Sequence, residues 1–257
     1  MIQASAIRKV YTDKDGTDTV IFKDLEFQVS DGEFVCLIGM SGCGKSTLLR
    51  LLSGLENPSG GIILSDGVTV KGPLQESAFV FQDYALFPWR TVIENVEFGA
   101  KINHIYSKKE LRQTAEEFLD KTHLLEYKDA YIHQLSGGMK QRVALARAMI
   151  MKPKILFMDE PFGALDSFTR IELQNFLKEI VVESDISVVF VTHDIDEAIF
   201  LADRIDIMNK NSGKIDDSIP IHFKGMRERT DGEFEKYREI IFEKFNLTRK
   251  YEIEYQI

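Results

Sequence analysis

Residues 39–47 read Gly39-Met-Ser-Gly-Cys-Gly-Lys45-Ser46-Thr47 and decide the fold. They fit the pattern G-x-x-x-x-G-K-[ST], in which glycines let successive backbone N–H groups turn towards a phosphate. The apolar run Phe34–Ile38 precedes them and has the composition of a strand buried on both faces. Leu48–Leu52 follows as an apolar helical segment. This order predicts a phosphate-binding loop, with a purely structural glycine turn as the alternative.

The polar residues of this loop suit the phosphates of a nucleotide. A helix that starts near Lys45 would present its positive end to them. Lys45 would contact the terminal phosphates, and Ser46 would offer its hydroxyl to Mg²⁺. The predicted nucleotide-binding residues of the loop are Gly39, Ser41, Gly42, Cys43, Gly44, Lys45, Ser46 and Thr47.

A second motif is the apolar strand Ile155-Leu-Phe-Met, which ends in Asp159 and Glu160. A buried strand that brings acids to a phosphate loop completes the site of a P-loop ATPase, so ATP and Mg²⁺ are the expected ligands. We predict that Asp159 holds Mg²⁺ and that Glu160 is the general base for the attacking water. Neighbouring strand residues point to opposite faces, which would separate the two roles. The alternative is a solvated strand end.

A third motif is Leu135-Ser136-Gly137-Gly138-Met139-Lys140-Gln141-Arg142. Its second half forms the start of a helix predicted over Met139–Met151. Ser136 and the two glycines open a second helix N-terminus suited to an anion. One phosphate loop already serves one nucleotide, so a second anion site requires an explanation.

Together the three motifs resemble the nucleotide-binding subunits of ABC transporters, and the similarity covers nearly the whole chain. The resemblance implies that Ser136, Gly137 and Gly138 bind ATP held by a second copy, so that two copies form a homodimer. It also implies a P-loop NTPase (RecA-like) α/β fold with an antiparallel β subdomain and an inserted helical subdomain. Residues 1–257 are then a single ABC ATPase domain, with a helical subdomain at about 84–150 and a C-terminal helical tail at about 225–257.

Four further residues take roles from the same resemblance. Gln82 resembles the glutamine that contacts Mg²⁺ and the γ-phosphate, and His193 resembles the catalytic switch histidine. Asp166 lies in Ala164-Leu-Asp166, which resembles the loop that crosses the dimer interface and is called the interface loop below. Tyr11 falls where the family stacks an aromatic ring on adenine. Each of these residues has an ordinary structural alternative when taken alone.

Two positions depart from the family pattern. Met139 stands where glutamine is usual, and Gly163 stands where serine is commoner. Neither position carries the main chemistry, so we expect activity to survive, with an effect on rate that the sequence does not define.

The composition of the chain limits the classes of partner that it can bind directly. The chain has 257 residues and a formal net charge of −9, and this acidic balance disfavours nucleic acid. No apolar run approaches the roughly 20 residues that span a bilayer, and the first residues lack a signal peptide's apolar stretch. The two cysteines fit a reducing compartment. We therefore expect an intracellular protein that reaches a membrane only through a partner.

The stretches Phe81–Val92 and Glu160–Asp166 resemble bacterial import subunits, and Pro88-Trp89 and Arg227-Glu-Arg-Thr resemble the subgroup that serves nitrate, sulfonate and taurine. This implies integral membrane permease subunits as partners, an extracytoplasmic solute-binding protein as an indirect partner, and a position on the cytoplasmic face of the cell membrane. Four apolar residues are candidates for a groove that receives a short helix of the permease, with internal packing as the alternative. They are Tyr84, Leu86, Phe87 and Trp89.

Two other functions remain open at this point. A soluble ABC ATPase, for example one of cluster assembly, would share the motifs without a transport role. A nucleotide-binding module without turnover would share the loop, although the presence of Glu160 and His193 argues against it.

Overall fold

The computed structural model of the chain describes residues 1–209, 213–223 and 227–245. Six strands form the larger sheet, in the order β10-β9-β3-β8-β7-β6. Their bounds are β3 Phe34–Gly39, β6 Ser77–Val80, β7 Ile155–Asp159, β8 Ser187–Val191, β9 Arg204–Asn209 and β10 Lys214–Pro220. The neighbours from β9 to β6 pair in parallel, and β10 pairs antiparallel with β9.

The parallel pairing brings the predicted motifs to one edge of this sheet. Asp159 at the end of β7 is in register with Val191 at the end of β8, and Leu37 of β3 is in register with Val191 from the other side. The phosphate loop, the acidic pair and His193 all follow these strand ends. In open α/β sheets, ligands bind at the carboxyl ends of the strands.

Strand β3 is buried on both faces, as its apolar run predicts. Phe34, Cys36 and Ile38 belong to one hydrophobic cluster, and Val35 and Leu37 belong to another. The α-helices outside the segment between β6 and β7 are α1 Lys45–Leu52, α5 Ser167–Ser184, α6 Ile195–Leu201 and α7 Gly232–Lys244. Burial of every side chain of β3 explains why the strand shows no polar alternation.

A smaller antiparallel sheet has the order β2-β1-β4-β5. Its strands are β1 Ile2–Thr12, β2 Asp18–Val29, β4 Gly60–Ser65 and β5 Val68–Thr69. Strands β4 and β5 form a hairpin, in which Ser65 pairs with Val68. Asp66 and Gly67 have φ values of 48° and 78°, the left-handed pair that tight hairpins favour.

Three α-helices lie between β6 and β7: α2 Val92–Ile102, α3 Lys108–Lys121 and α4 Gly137–Met149. They share a hydrophobic cluster of their own. A capping box begins α3, because the Ser107 side chain accepts from Glu110 N–H while the Glu110 carboxylate accepts from Ser107 N–H. At the other end of the chain, residues 225, 226 and 246–257 of the predicted C-terminal tail lie outside the described residues.

Candidate functional site

The phosphate-binding loop connects β3 to α1. Helix α1 begins at Lys45, and Gly44 caps it in a left-handed conformation with φ 103°. A Cβ atom on Gly44 would lie 2.8 Å from the Phe22 ring and from Ile21 Cγ2. Glycine is therefore required here for its backbone conformation and for space. The predicted strand–loop–helix order is confirmed.

Lys45 is buried inside the loop with only 6% of its surface exposed. Its Nζ donates to the carbonyl oxygen of Gly39 at 2.8 Å and to that of Met40 at 3.4 Å. The loop thus bends around the ammonium group, so the positive charge of Lys45 lies inside the loop. Such an arrangement is suited to an anion with several oxygens.

Ser46 and Asp159 meet across the ends of α1 and β7. Ser46 Oγ donates to Asp159 Oδ1 at 2.8 Å. Burial raises the pKa of the Asp159 carboxyl, and the neighbouring charge of Glu160 adds to the rise, while the hydrogen bond from Ser46 opposes it. A hydroxyl and a half-buried carboxylate at this distance are the hard oxygen ligands that Mg²⁺ prefers.

Replacing Asp159 with Asn is expected to raise the melting temperature of the nucleotide-free protein. The pKa of Asp159 is higher in the folded state than in the unfolded state, so the ionised carboxylate lowers stability above the folded-state pKa. This cost disappears as the pH falls below the unfolded-state pKa. Asparagine carries no charge and can still accept from Ser46, and ~1 kcal/mol in a chain of this size corresponds to about 2–4 °C.

The measurement is thermal unfolding of both proteins near neutral pH without nucleotide. The control is Asp129→Asn, because the Asp129 side chain is 78% exposed and its replacement should change little. A lower melting temperature for Asp159→Asn would contradict this interpretation of the Asp159 environment.

Glu160 lies beside His193. Its Oε2 is 3.2 Å from His193 Nδ1, and its backbone N–H donates to the carbonyl oxygen of Val191 at 2.9 Å. Strand β7 ends at Asp159, and Glu160 turns out of it with φ 43°. The two acids therefore have separate partners because of this left-handed turn. Strand alternation, from which the separation was predicted, does not extend to Glu160 because β7 ends at Asp159.

Gln82 follows β6 and is exposed. Beyond it the chain bends sharply, with φ values of 63° at Tyr84 and 44° at Ala85. Arg147 of α4 holds this bend, donating to the carbonyl oxygens of Tyr84 and Ala85. Sequence reasoning missed Arg147, since nothing in the spacing of 62 residues between Ala85 and Arg147 connects them.

Ser136 caps helix α4. Its Oγ accepts from Met139 N–H at 3.3 Å, so the helix begins at Gly137, two residues before the predicted start. A Cβ on Gly138 would lie 2.3 Å from Thr169 Cγ2, and Thr169 Oγ1 in turn donates to Asp166 at 2.7 Å. The capped turn of α4 therefore packs against the start of α5, beside the interface loop.

Tyr11 is half-buried at the end of β1. Its hydroxyl donates to Glu56 Oε2 at 2.6 Å, and Lys9 Nζ lies 4.7 Å from the ring centre. Burial raises the pKa of Tyr11, and the hydrogen bond to Glu56 adds to the rise. Glu56 also pairs with Lys9 at 3.1 Å, so it fixes the ring and the cation together. Sequence reasoning missed Glu56.

Met139 and Gly163, the two positions that depart from the family pattern, make ordinary packing contacts. Met139 is half-buried and packs against the cluster of α2, α3 and α4. A Cβ on Gly163 would lie 3.5 Å from the carbonyl oxygen of Glu160, which is ordinary contact. Serine would thus fit at position 163.

Apart from Tyr11 and Gln82, the structure places the predicted residues in three groups. One contains the loop with Asp159, and the second contains Glu160 with His193, directly beside it. Ser136, Gly137 and Gly138 form the third group with the interface loop. Among residues 1–209, 213–223 and 227–245, no hydrogen bond or ion pair joins Ser136, Gly137 or Gly138 to the loop Gly39–Thr47.

Fold and site together define a P-loop ATPase. The ABC transporter family matches residues 22–163 of the chain. The nitrate import ATP-binding protein NrtD of Synechocystis is 44% identical over 88% of this chain and 85% of its own length. The aliphatic sulfonates import ATP-binding protein SsuB of Bacillus subtilis is 38% identical over 93% of this chain and 92% of its own.

A solved dimer of an ATP-binding cassette in a post-hydrolysis state, bound to ADP and phosphate, is also similar. It superposes with a TM-score of 0.78 at 31% identity, over 87% of this chain and 100% of the cassette chain. The chain belongs to the ABC transporter family and is an ATPase. The resemblance predicted from the motifs is confirmed, as is the fold class. Among the described residues, every helix is too short or too polar to cross a bilayer.

Proposed function

We propose that the chain powers uptake of a small solute, such as nitrate, a sulfonate or taurine, through a separate membrane subunit. The observation that carries this proposal is the similarity to import ATP-binding proteins over 85% or more of both chains. The chain would then lie on the cytoplasmic face of the membrane, held there by the permease. An extracytoplasmic solute-binding protein would be an indirect partner.

The site geometry supports hydrolysis by the following route. The phosphates of ATP would lie in the loop Gly39–Thr47, and Lys45 would exchange its contacts with the loop carbonyls for phosphate oxygens. Glu160 would take a proton from the attacking water as the new oxygen–phosphorus bond forms and the bond to ADP breaks. His193 would hold Glu160 and the γ-phosphate in place as charge develops.

Ser46, Asp159 and Gln82 would hold Mg²⁺. The oxygen atoms of Ser46 and Asp159 already lie 2.8 Å apart, and Mg²⁺ usually takes only a few protein ligands beside phosphate oxygens and water. When bound, Mg²⁺ would neutralise charge on the phosphates. Tyr11 would stack on adenine, with Glu56 fixing the orientation of its ring.

Two copies of the chain would close head to tail over two ATP molecules. The third group of residues, Ser136 to Gly138, has no bond to the loop of its own chain among the described residues, and its capped helix start is suited to an anion. A second copy would use this group to cover the γ-phosphate, with Asp166 at the interface. The solved dimer with ADP and phosphate supports this assembly.

A permease helix would dock beside Trp89. Trp89 is 70% exposed, whereas Phe87 packs against Phe98 with ring centres 4.5 Å apart. Phe87 therefore belongs to the internal packing that was the alternative for the predicted groove. Trp89 is left as an exposed aromatic anchor, which is the residue type that dominates binding at interfaces.

Expression with the membrane proteins encoded beside its gene tests the proposal. The wild-type chain should copurify with a multi-span membrane protein, and Trp89→Ala should lose most of this copurification while keeping its ATPase activity. Val68→Ala is the matched control, because Val68 is equally exposed, at 70%, on the antiparallel sheet. Turnover without any membrane partner, in every expression context, would favour a soluble ABC ATPase.

A further inference from the structure

Arg170 lies in the first turn of α5 and connects two parts of the site. Its Nη2 donates to the carbonyl oxygen of Leu165 at 3.2 Å, in the interface loop. Its Nη1 donates to Asp194 Oδ2 at 3.2 Å. Leu165 precedes Asp166 and Asp194 follows His193, so one side chain joins the interface loop to the turn that carries His193.

The turn around His193 is held on both sides. Asp194 Oδ1 caps α6 by accepting from the N–H groups of Asp196 and Glu197, which leaves Oδ2 for Arg170. The N–H of Asp194 donates to Thr192 Oγ1 at 3.0 Å. His193 itself is 66% exposed, so its direction depends on these two neighbours more than on packing.

A second carboxylate lies under Arg170. Glu197 is 5% exposed and accepts from Thr192 Oγ1 at 2.6 Å and from Gln174 Nε2 at 3.0 Å. Arg170 Nε lies 3.7 Å from Glu197 Oε1. This Nε is buried and, among the described residues, has no hydrogen-bond partner. Buried donors are normally paired, so a small shift of the guanidinium towards Glu197 would satisfy it.

We propose that Arg170 is a positioning residue for hydrolysis, which transmits the position of the interface loop to His193. The inference rests on the proposed roles of His193 and Glu160. A planar guanidinium can bond two acceptors in fixed directions, which a lysine ammonium cannot do in the same way. When the loop moves against a second copy, Leu165 carries Arg170 with it. Asp194 follows, and the His193 ring changes its place beside Glu160.

The test is steady-state ATP hydrolysis by Arg170→Met, Asp194→Asn and the double variant. Asparagine is as good a helix cap as aspartate, so Asp194→Asn removes the charge that faces Arg170 and keeps α6. Each single variant should lose on the order of 10-fold or more in kcat with little change in KM, because misplaced catalytic groups lower the rate of the chemical step. The double variant should be no slower than the slower single variant, because the two residues act as one unit.

Arg170→Lys should recover part of the lost kcat, since lysine can pair with Asp194. The matched control is Arg112→Met on α3, where the arginine pairs with Glu97 and Glu116 on the surface and should contribute little. Melting temperatures identify any variant that fails to fold. If Arg170→Met does not fold, the kcat values of Arg170→Lys and Asp194→Asn test the proposal instead. Normal kcat in both of these variants would overturn it.

Normal kcat in a folded Arg170→Met would also overturn the proposal that Arg170 positions His193. If the kcat losses of the two single variants multiply in the double variant, Arg170 does not act through Asp194. Glu160→Gln is measured in parallel. Near-normal turnover by Glu160→Gln would contradict the proposed mechanism as a whole. Normal turnover by Arg170→Met beside an inactive Glu160→Gln would contradict only the role given to Arg170.

Discussion

Replacing Glu160 with Gln is expected to stop ATP turnover while leaving ATP binding intact. The amide keeps the size of the side chain and can remain within hydrogen-bonding distance of His193 Nδ1, which is 3.2 Å away. It cannot accept a proton from water, and removal of a general base costs about 10²–10⁴-fold in rate. ATP that binds without being hydrolysed should also hold two copies together, so the variant should accumulate as a dimer.

Phosphate release, nucleotide binding by fluorescence, and mass in solution with and without ATP measure these effects. The control is Glu183→Gln on α5, whose carboxylate pairs with Lys121 on the surface at 3.7 Å. It should behave as the wild-type chain does. Near-normal hydrolysis by Glu160→Gln would remove Glu160 from the role of base.

Replacing Lys45 with Met is expected to weaken ATP binding by about 10–100-fold, since charge-assisted hydrogen bonds are worth roughly 1.5–3 kcal/mol. Turnover should fall further, because the ammonium group also stabilises charge that develops on the phosphates. Methionine retains the apolar stem, so the buried position inside the loop stays filled. Titration with a fluorescent ATP analogue measures the affinity.

The control for Lys45 is Lys71→Met, at an exposed position outside the loop. Its affinity for nucleotide and its turnover should match those of the wild-type chain. An unchanged affinity in Lys45→Met would mean that nucleotide binds elsewhere, and it would contradict the assignment of Gly39–Thr47 as the phosphate-binding loop.

The buried strands and the loop were predictable because their patterns are local. The apolar run Phe34–Ile38 predicted a strand buried on both faces, and every residue of β3 is buried. Strands β9 and β10 were not predicted. Arg204 and Asp206 place two charges in β9, and only the fold shows that Asp206 is buried and paired with Arg204 at 3.0 Å.

Strand β10 escaped prediction for a related reason. It alternates polar and apolar residues, begins with Lys214 and ends with Pro220, which is a composition that edge strands tolerate and sequence patterns do not favour. Residues two apart on a strand share a face, so the pair Arg204 and Asp206 could have been a clue to β9.

The site was predictable where it depends on short motifs and hidden where it depends on distant contacts. The meeting of Ser46 with Asp159, 113 positions later, follows from parallel strands whose ends share one edge. The contacts of Arg147 and Arg170 do not follow from any such rule. Both arginines bond backbone carbonyl groups in turns, and Arg170 also bonds the Asp194 side chain. Residues that orient the site are therefore found only in the folded chain.

The central claim is that one copy holds the phosphates and a second copy covers them with Ser136. Cross-linking between Ser41→Cys on one chain and Ser136→Cys on another, both carrying Glu160→Gln, tests it directly. Ser41 and Ser136 are exposed, and the native Cys36 and Cys43 are buried, so they compete little for a short thiol cross-linker. Only one of the two sites in such a mixed dimer carries the cysteines, so the other remains intact and can close.

We predict that ATP with Mg²⁺ produces a cross-linked species of twice 29.4 kDa, and that the species is absent without nucleotide. Equal cross-linking with and without ATP, or none in either condition while ATP is bound, would contradict the account.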